Sequence, residues 1–208
     1  MPKRLILVRH GHTDHNKKKI LQGWLNTELD EAGLDQAKKV AQRLSSQSFE
    51  VVYSSDLKRA LSTAELIAAN HKLKVIPTPT LRESNLGILQ GMDWLDKNHP
   101  LYSLWQEHIQ ANLKADLHWK KHQGESLAEI YDRLGKLMSI LHRKHKNKSV
   151  LLVTHGGTIN RLLEFLHLRK LTDDFLSFGN TSVTILTKTS PSQYKITLLN
   201  DTSHLSQP

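Results

Sequence analysis

The chain contains no cysteine in its 208 residues, which excludes a thiol nucleophile, a disulfide framework and any cysteine-ligated zinc site. It also lacks a long hydrophobic run: no span approaches membrane length, and the four apolar residues after Lys3-Arg4 are too few for a signal-peptide core before charge returns at Arg9. A cytoplasmic location, with no membrane partner, is the expectation. Acidic charge is in short supply, with 20 Asp and Glu against 29 Lys and Arg, a formal net charge of +9. Such a balance favours phosphate-bearing or acidic partners without naming one. The basic run His142 to Lys148 has no interleaved aromatic residues, and it reads as the solvated end of a helix rather than a nucleic-acid surface. No internal repeat or low-complexity tract is present.

What remains is ordinary globular material, 38% hydrophobic and 24% charged. The length suits one domain, residues 1–208, with room for a small insertion. Apolar runs rich in β-branched residues alternate with amphipathic stretches, the pattern of βα units, so the expected class is α/β: a doubly wound, three-layer αβα sandwich around a mostly parallel sheet. Leu34, Ala37, Val40, Ala41 and Leu44 recur at helical spacing behind Asp30 as cap and stop near Ser45-Ser46. Val51-Val52-Tyr53 and Val75-Ile76 read as strands. Between them Leu57, Ala60, Leu61, Ala64 and Ile67 form a helix face that Ser55 or Asp56 caps. From Gln90 to about Gly124 no strand signal occurs, and the scattered tryptophans and leucines predict a helical lid over the sheet edge. A long helix is expected from Glu125 and a short one through Ile159, Leu162, Leu163 and Leu166. A hairpin over Thr181 to Leu186 and Tyr194 to Leu199 and a frayed tail after Asp201 complete the prediction.

Two runs carry the chemistry. Leu5-Ile6-Leu7-Val8 leads into Arg9-His10-Gly11, and Val150-Leu151-Leu152-Val153 leads into Thr154-His155-Gly156-Gly157. Both are apolar throughout rather than alternating, as interior strands of a parallel sheet are, so both histidines emerge on the carboxyl edge where such sheets hold ligands. Arg9 can clamp an anion through two N–H groups. A guanidinium beside His10 also disfavours the imidazolium and holds its pKa below about 6.5. Gly11 lets the turn pass close to a ligand, and Gly156-Gly157 can expose N–H groups at a helix start. By composition alone, Glu83 is a glutamate in a polar loop, and Arg59 a solvated helix residue pairing with Asp56 or Glu65.

Read together, the motifs resemble the histidine phosphatase superfamily, in its phosphoglycerate-mutase-like branch. Leu7-Val8-Arg9-His10-Gly11-His12-Thr13 through Asn16 and Leu21-Gln22-Gly23 are similar to the family's opening. Glu28-Leu29 with Gly33 and Gln36-Ala37, and Tyr53-Ser54-Ser55-Asp56-Leu57 with Arg59-Ala60 and Thr63-Ala64, resemble its first helix and second arginine block. Leu81-Arg82-Glu83 with Leu86-Gly87 and Gly91, then Gly124-Glu125-Ser126, and finally Thr154-His155-Gly156-Gly157, complete the order. The resemblance implies that His10 attacks phosphorus and becomes phosphohistidine, and that Arg9, Arg59, His155 and Asn16 hold the phosphate oxygens. It further implies Glu83 as general acid, Gln22, Gly23 and Gly156 as substrate contacts, and no metal or other cofactor. The residue after His155 is glycine, so the aspartate acid of the other branch is missing. His12 and His15 depart from the acidic or glutamine, and tryptophan, residues commoner there.

Hydrolysis of a small phosphorylated metabolite is the expected activity. Phosphoglycerate mutase activity is the runner-up, since the excursion from Gln90 to Gly124 is short and lacks a basic, proline-containing insertion. A catalytically silent phospho-ligand-binding module is the alternative from another class. His10-Gly11-His12-Thr13-Asp14-His15 also matches H-x-H-x-D-H, a zinc pattern of metallo-β-lactamase-like hydrolases. Against it stand Arg9 on one side and Asn16-Lys17-Lys18-Lys19 on the other, where carboxylates are expected. Lys114, Lys120, Lys121 and His122 offer themselves for a second anionic group of the substrate, or simply for solubility. The sequence leaves the natural substrate and the oligomeric state open.

Overall fold

The computed structural model describes residues 1–170 and 175–206. In chain order its regular elements are β1 (Arg4–Arg9), α1 (Asp14–Lys17), α2 (Glu31–Leu44), β2 (Val51–Ser54), α3 (Lys58–Ala69), β3 (Val75–Pro77), α4 (Tyr102–Leu113), α5 (Leu127–Lys144), β4 (Ser149–Thr154), α6 (Gly156–Phe165), β5 (Val183–Ser190) and β6 (Gln193–Asp201). Six strands form one sheet in the order β3-β2-β4-β1-β5-β6. The first four are mutually parallel, and β5 and β6 run antiparallel at one side.

The unbroken apolar character of β1 and β4 follows from helices on both faces. Leu5 and Leu7 join Val150 and Leu152 in a core with Ile130, Leu134, Leu137 and Leu141 of α5 and Ile159, Leu162 and Leu163 of α6. Ile6 and Val8 point the other way, with Leu151 and Val153, onto Val40 and Leu44 of α2 and Ala60, Ala64 and Ile67 of α3. Alternate residues of one strand therefore belong to different cores, and neither set has a solvated face to make polar. The expected three-layer sandwich is what is found.

Local chemistry sets the boundaries, and here several expectations need correction. Asp30 does cap α2, its side chain accepting from Gly33 N. The cap position of α3 is Leu57, without a side-chain bond; Ser55 Oγ accepts from Leu57 N at 3.3 Å and also meets His155 Nε2, while Asp56 is engaged with Arg82. Helix α5 starts two residues later than Glu125, at a capping box formed by Ser126 and Glu129. Glu125 instead pairs with Arg133.

The excursion between Gln90 and Gly124 is helical only in α4. Before it, Asp93 and Asp96 accept hydrogen bonds from Leu95 N and Asn98 N, local turns that compete with helix. Past it, Ala115 at φ 58° ends the helix. The segment has a small core of its own, Leu21, Leu86, Leu89 and Met92, on which Trp94, Leu101, Leu104 and Trp105 pack.

The expected hairpin is present and longer than predicted, and the described part of the tail, residues 202–206, is not frayed; residues 207 and 208 lie outside the described residues. Ser203–Leu205 forms a 3-10 turn that buries His204. His204 Nε2 meets Thr181 Oγ1 at 3.0 Å, and Arg43 approaches its Nδ1 at 3.0 Å and also pairs with Asp201. Arginine only donates, so Nδ1 is the acceptor and Nε2–H is directed at Thr181. Thr181 holds φ at 55°, a left-handed conformation that a β-branched residue adopts only when its surroundings impose it. Burial, followed by Arg43, pushes the His204 pKa down to about 4, so the folded state refuses a proton that the unfolded chain accepts below about 6.5. Stability contributed by this residue is complete above that value and is lost as the pH falls from about 6.5 toward 4. His204→Ala is expected to lower the midpoint of thermal unfolding by about 2–8 °C at neutral pH. It should also make the acid-induced decline between pH 6.5 and 4 shallower. Scanning calorimetry across that range checks both, and an unchanged slope would remove His204 from the account.

Candidate active site

Strand register determines where the two histidines meet. Arg9 lies opposite Thr154 in the parallel pair β1-β4, and His10 N bonds Thr154 O at 2.9 Å. The next residue on each strand is thus a histidine at the same sheet edge, and their ring centroids lie 5.1 Å apart.

His10 is buried, and its Nδ1 lies 2.7 Å from Gly11 O. A carbonyl accepts only, so the proton is on Nδ1 and the lone pair of the neutral ring is on Nε2. Burial, then Arg59, then Arg9 hold the His10 pKa well below its usual value; the neighbouring guanidinium expected to do this is third in size. His155 is likewise depressed, by burial first and Arg59 next. Its Nε2 meets Ser55 Oγ at 2.9 Å, while its buried Nδ1 has no hydrogen-bond partner among the described residues.

Arg59 is not a surface residue. It is fully buried, and its Nη1 and Nη2 donate to Leu25 O at 2.6 Å, Thr27 Oγ1 at 3.2 Å and Gly23 O at 2.8 Å. Desolvation lowers its pKa to about 10 despite the opposing effect of Glu83. Arg9 donates from Nη1 to Phe178 O. The Nε–H groups of both arginines are buried and, among the described residues, unpartnered. Glu83 faces this group: its Oε1 accepts from Ser84 N and Thr158 Oγ1 and its Oε2 from Gly157 N at 3.0 Å. A Cβ at Gly157 would stand 2.4 Å from Glu83 Oε1, so a larger residue there would displace the carboxylate from its present position.

Arg9, His10, Asn16, Gln22, Gly23, Arg59, Glu83 and Gly156 all line one cavity of about 520 Å³. Their parts within it differ from the expectation in three places. Gly23, at φ 48°, holds Arg59 through its carbonyl, and Gln22 Oε1 accepts from Thr27 Oγ1. The Gly157 N–H, one of the two expected at the helix start, is occupied by Glu83. Asn16 Oδ1 is engaged by Thr13 and Asn180, which leaves its amide N–H groups as the available donors.

Asn180 had no signal in the sequence, and neither did the pairings that join the other residues here. Gly11 N donates to Thr63 Oγ1, and Asn180 Nδ2 donates to His10 O at 3.1 Å. Gly11 and Gly33 meet backbone to backbone; a Cβ on Gly33 would lie 2.0 Å from His12 O. His12 Nδ1 is paired with Asp30 at 2.6 Å. Among the described residues no three histidine, aspartate or glutamate side chains converge as metal ligands would.

The histidine phosphatase superfamily (branch 1) model matches residues 5–202. Phosphoglycerate mutase-like protein 4 of Arabidopsis thaliana is 36% identical over 205 residues, covering 98% of this chain and 87% of that protein. The metal-independent phosphoserine phosphatase of the same plant is 37% identical over 163 residues, 76% of this chain and 66% of its own. A solved structure of mycobacterial glucosyl-3-phosphoglycerate phosphatase in complex with VO3 aligns with a TM-score of 0.81 at 30% identity, over 95% of this chain and 99% of that one. Two histidine turns on one sheet edge and a family match along nearly the whole sequence agree: the chain belongs to branch 1 of the histidine phosphatase superfamily.

Proposed function

We propose that this protein is a metal-independent phosphomonoesterase that works through a phosphohistidine at His10, in one domain whose excursion between Gln90 and Gly124 covers the site. The observation that carries this reading is the bond from Nδ1–H to Gly11 O, which presents the Nε2 lone pair inside a cationic cavity. Low pKa values of both histidines keep that lone pair free at neutral pH.

In the first step His10 Nε2 bonds to phosphorus as the ester P–O bond breaks, and Glu83 gives a proton to the departing alkoxide. In the second, water bonds to phosphorus as the P–N bond breaks, and Glu83 takes the proton back. Arg9, Arg59, His155 and the Asn16 amide surround the transferred group, whose charge spreads over its equatorial oxygens. The unpartnered N–H groups of Arg9 and Arg59 are donors suited to that charge. A pool of small phosphorylated metabolites in the cytoplasm is the setting this reading takes.

Hydrolysis of para-nitrophenyl phosphate should persist in chelator and fall by roughly a thousandfold or more in His10→Ala. Acid-labile phosphate on the wild-type protein, absent from that variant, is the direct check of the intermediate. Binding of phosphate without turnover would favour a recognition module instead.

Glu83→Gln should slow alkyl phosphomonoesters by about 10²–10⁴-fold. It should slow para-nitrophenyl phosphate far less, because nitrophenolate departs without a proton. Equal slowing of both substrates would assign Glu83 another role.

A further inference from the structure

The cavity continues well past the phosphate-binding end, and its far walls are apolar. Trp94, Trp105, Ile109, Leu113, Trp119 and Phe175 line it. Three of the four tryptophans in the chain therefore face one cavity. Two of them are braced by stacked histidines. Trp105 stacks on His108 with ring centroids 5.5 Å apart and 16° between planes, and Trp119 stacks on His122 at 5.0 Å and 16°. The two histidines touch at 4.9 Å, and burial pushes the His108 pKa down to about 3, so its ring is a neutral part of the wall.

Charge at this end is already balanced or negative. Of the arginine and lysine residues lining the cavity, Arg9 and Arg59 sit at the phosphate end and the third is Arg161. Arg161 is bound to Glu164 Oε2 at 2.8 Å and Asn112 Oδ1 at 2.7 Å, and its guanidinium lies 5.4 Å over the Phe175 ring. Lys120 and Lys121 pair with Glu129 and Glu107 and do not line the cavity, nor does Lys114. Asp116, Glu125 and Glu164 do line it. A carboxylate carried by the substrate would at this end meet Asp116, two acids already paired with Arg133 and Arg161, and no arginine whose charge is not offset.

We propose that the substrate is a phosphomonoester whose alcohol portion is a flat, uncharged ring system that lies against the tryptophan wall, not a compact hydroxy acid. This rests on the phosphatase reading of the same cavity. A preformed cavity of about 520 Å³ is in the range that encloses such a group together with its phosphate. Flat aromatic surfaces stack on indole with little loss of conformational freedom.

Non-hydrolysable phosphonates separate selectivity from the intrinsic reactivity of the ester. Methylphosphonate, naphthalen-1-ylmethylphosphonate and 2-amino-3-phosphonopropionate are compared as inhibitors of para-nitrophenyl phosphate hydrolysis, with binding read in parallel by quenching of tryptophan fluorescence. The naphthyl compound should bind at least about tenfold tighter than methylphosphonate and quench the fluorescence. The amino acid compound should bind no tighter than methylphosphonate. Equal or tighter binding of the amino acid compound than the naphthyl one overturns the proposal. Trp105→Ala should bring the naphthyl preference close to unity and Trp105→Phe should restore most of it; an undiminished preference in Trp105→Ala overturns it as well. A protein that turns over nothing but binds the naphthyl compound selectively would leave this inference standing while the phosphatase reading fell.

Discussion

Two guanidinium groups withdrawn from water at the end of a parallel sheet, with Glu83 the carboxylate that opposes them, are the constraint from which the rest of the site follows. Burying a cation is costly unless something answers its charge, and the protein answers only in part. Backbone carbonyls of Gly23, Leu25 and Phe178 take up N–H groups of Arg59 and Arg9 without cancelling their charge. The remaining positive potential does two things at once. It adds to burial, the larger effect, in keeping both imidazoles unprotonated, and it favours a group that arrives with negative charge. Nucleophile and binding site are thus two consequences of one electrostatic arrangement.

Rigidity around His10 comes from backbone rather than from bulk. Its carbonyl accepts from Asn180 and Thr181, its amide is fixed to Thr154, and the turn after it lies against α2 where Gly11 and Gly33 leave no room for a side chain. The ring is therefore oriented by neighbours from β4, α2 and the segment before β5. An imidazole held in this way is presented in one tautomer and one direction, which suits the nucleophilic role proposed for it.

Much of this was legible before the structure. Apolar runs flanking Leu7 and Leu152 specify strands buried on both faces, and a shared termination in histidine specifies a shared edge. The family blocks gathered Arg9, Asn16, Arg59, Glu83 and Gly156 around His10, and all of them line one cavity. What escaped was information carried by tertiary pairing. Ser55 looks like a helix cap until His155 is brought to it. Arg59 looks solvated because its partners are carbonyls of a loop some thirty residues earlier, which no side-chain pattern announces. The tail after Asp201 looks disordered because its single anchor, His204, has meaning only beside Thr181 and Arg43.

That anchor sets a timetable for synthesis. Strand β1 emerges first, yet its neighbours in the sheet are β4 and β5, and Thr181, which bonds the His10 carbonyl, is clamped by a residue close to the C-terminus. A ribosome-bound chain that has exposed only its first half owns a histidine with no facing strand, no second histidine and no clamp. The fixed geometry around His10 is consequently complete only when β4, β5 and the residues after β6 have joined β1, so the proposed site depends on pairings between distant parts of the sequence.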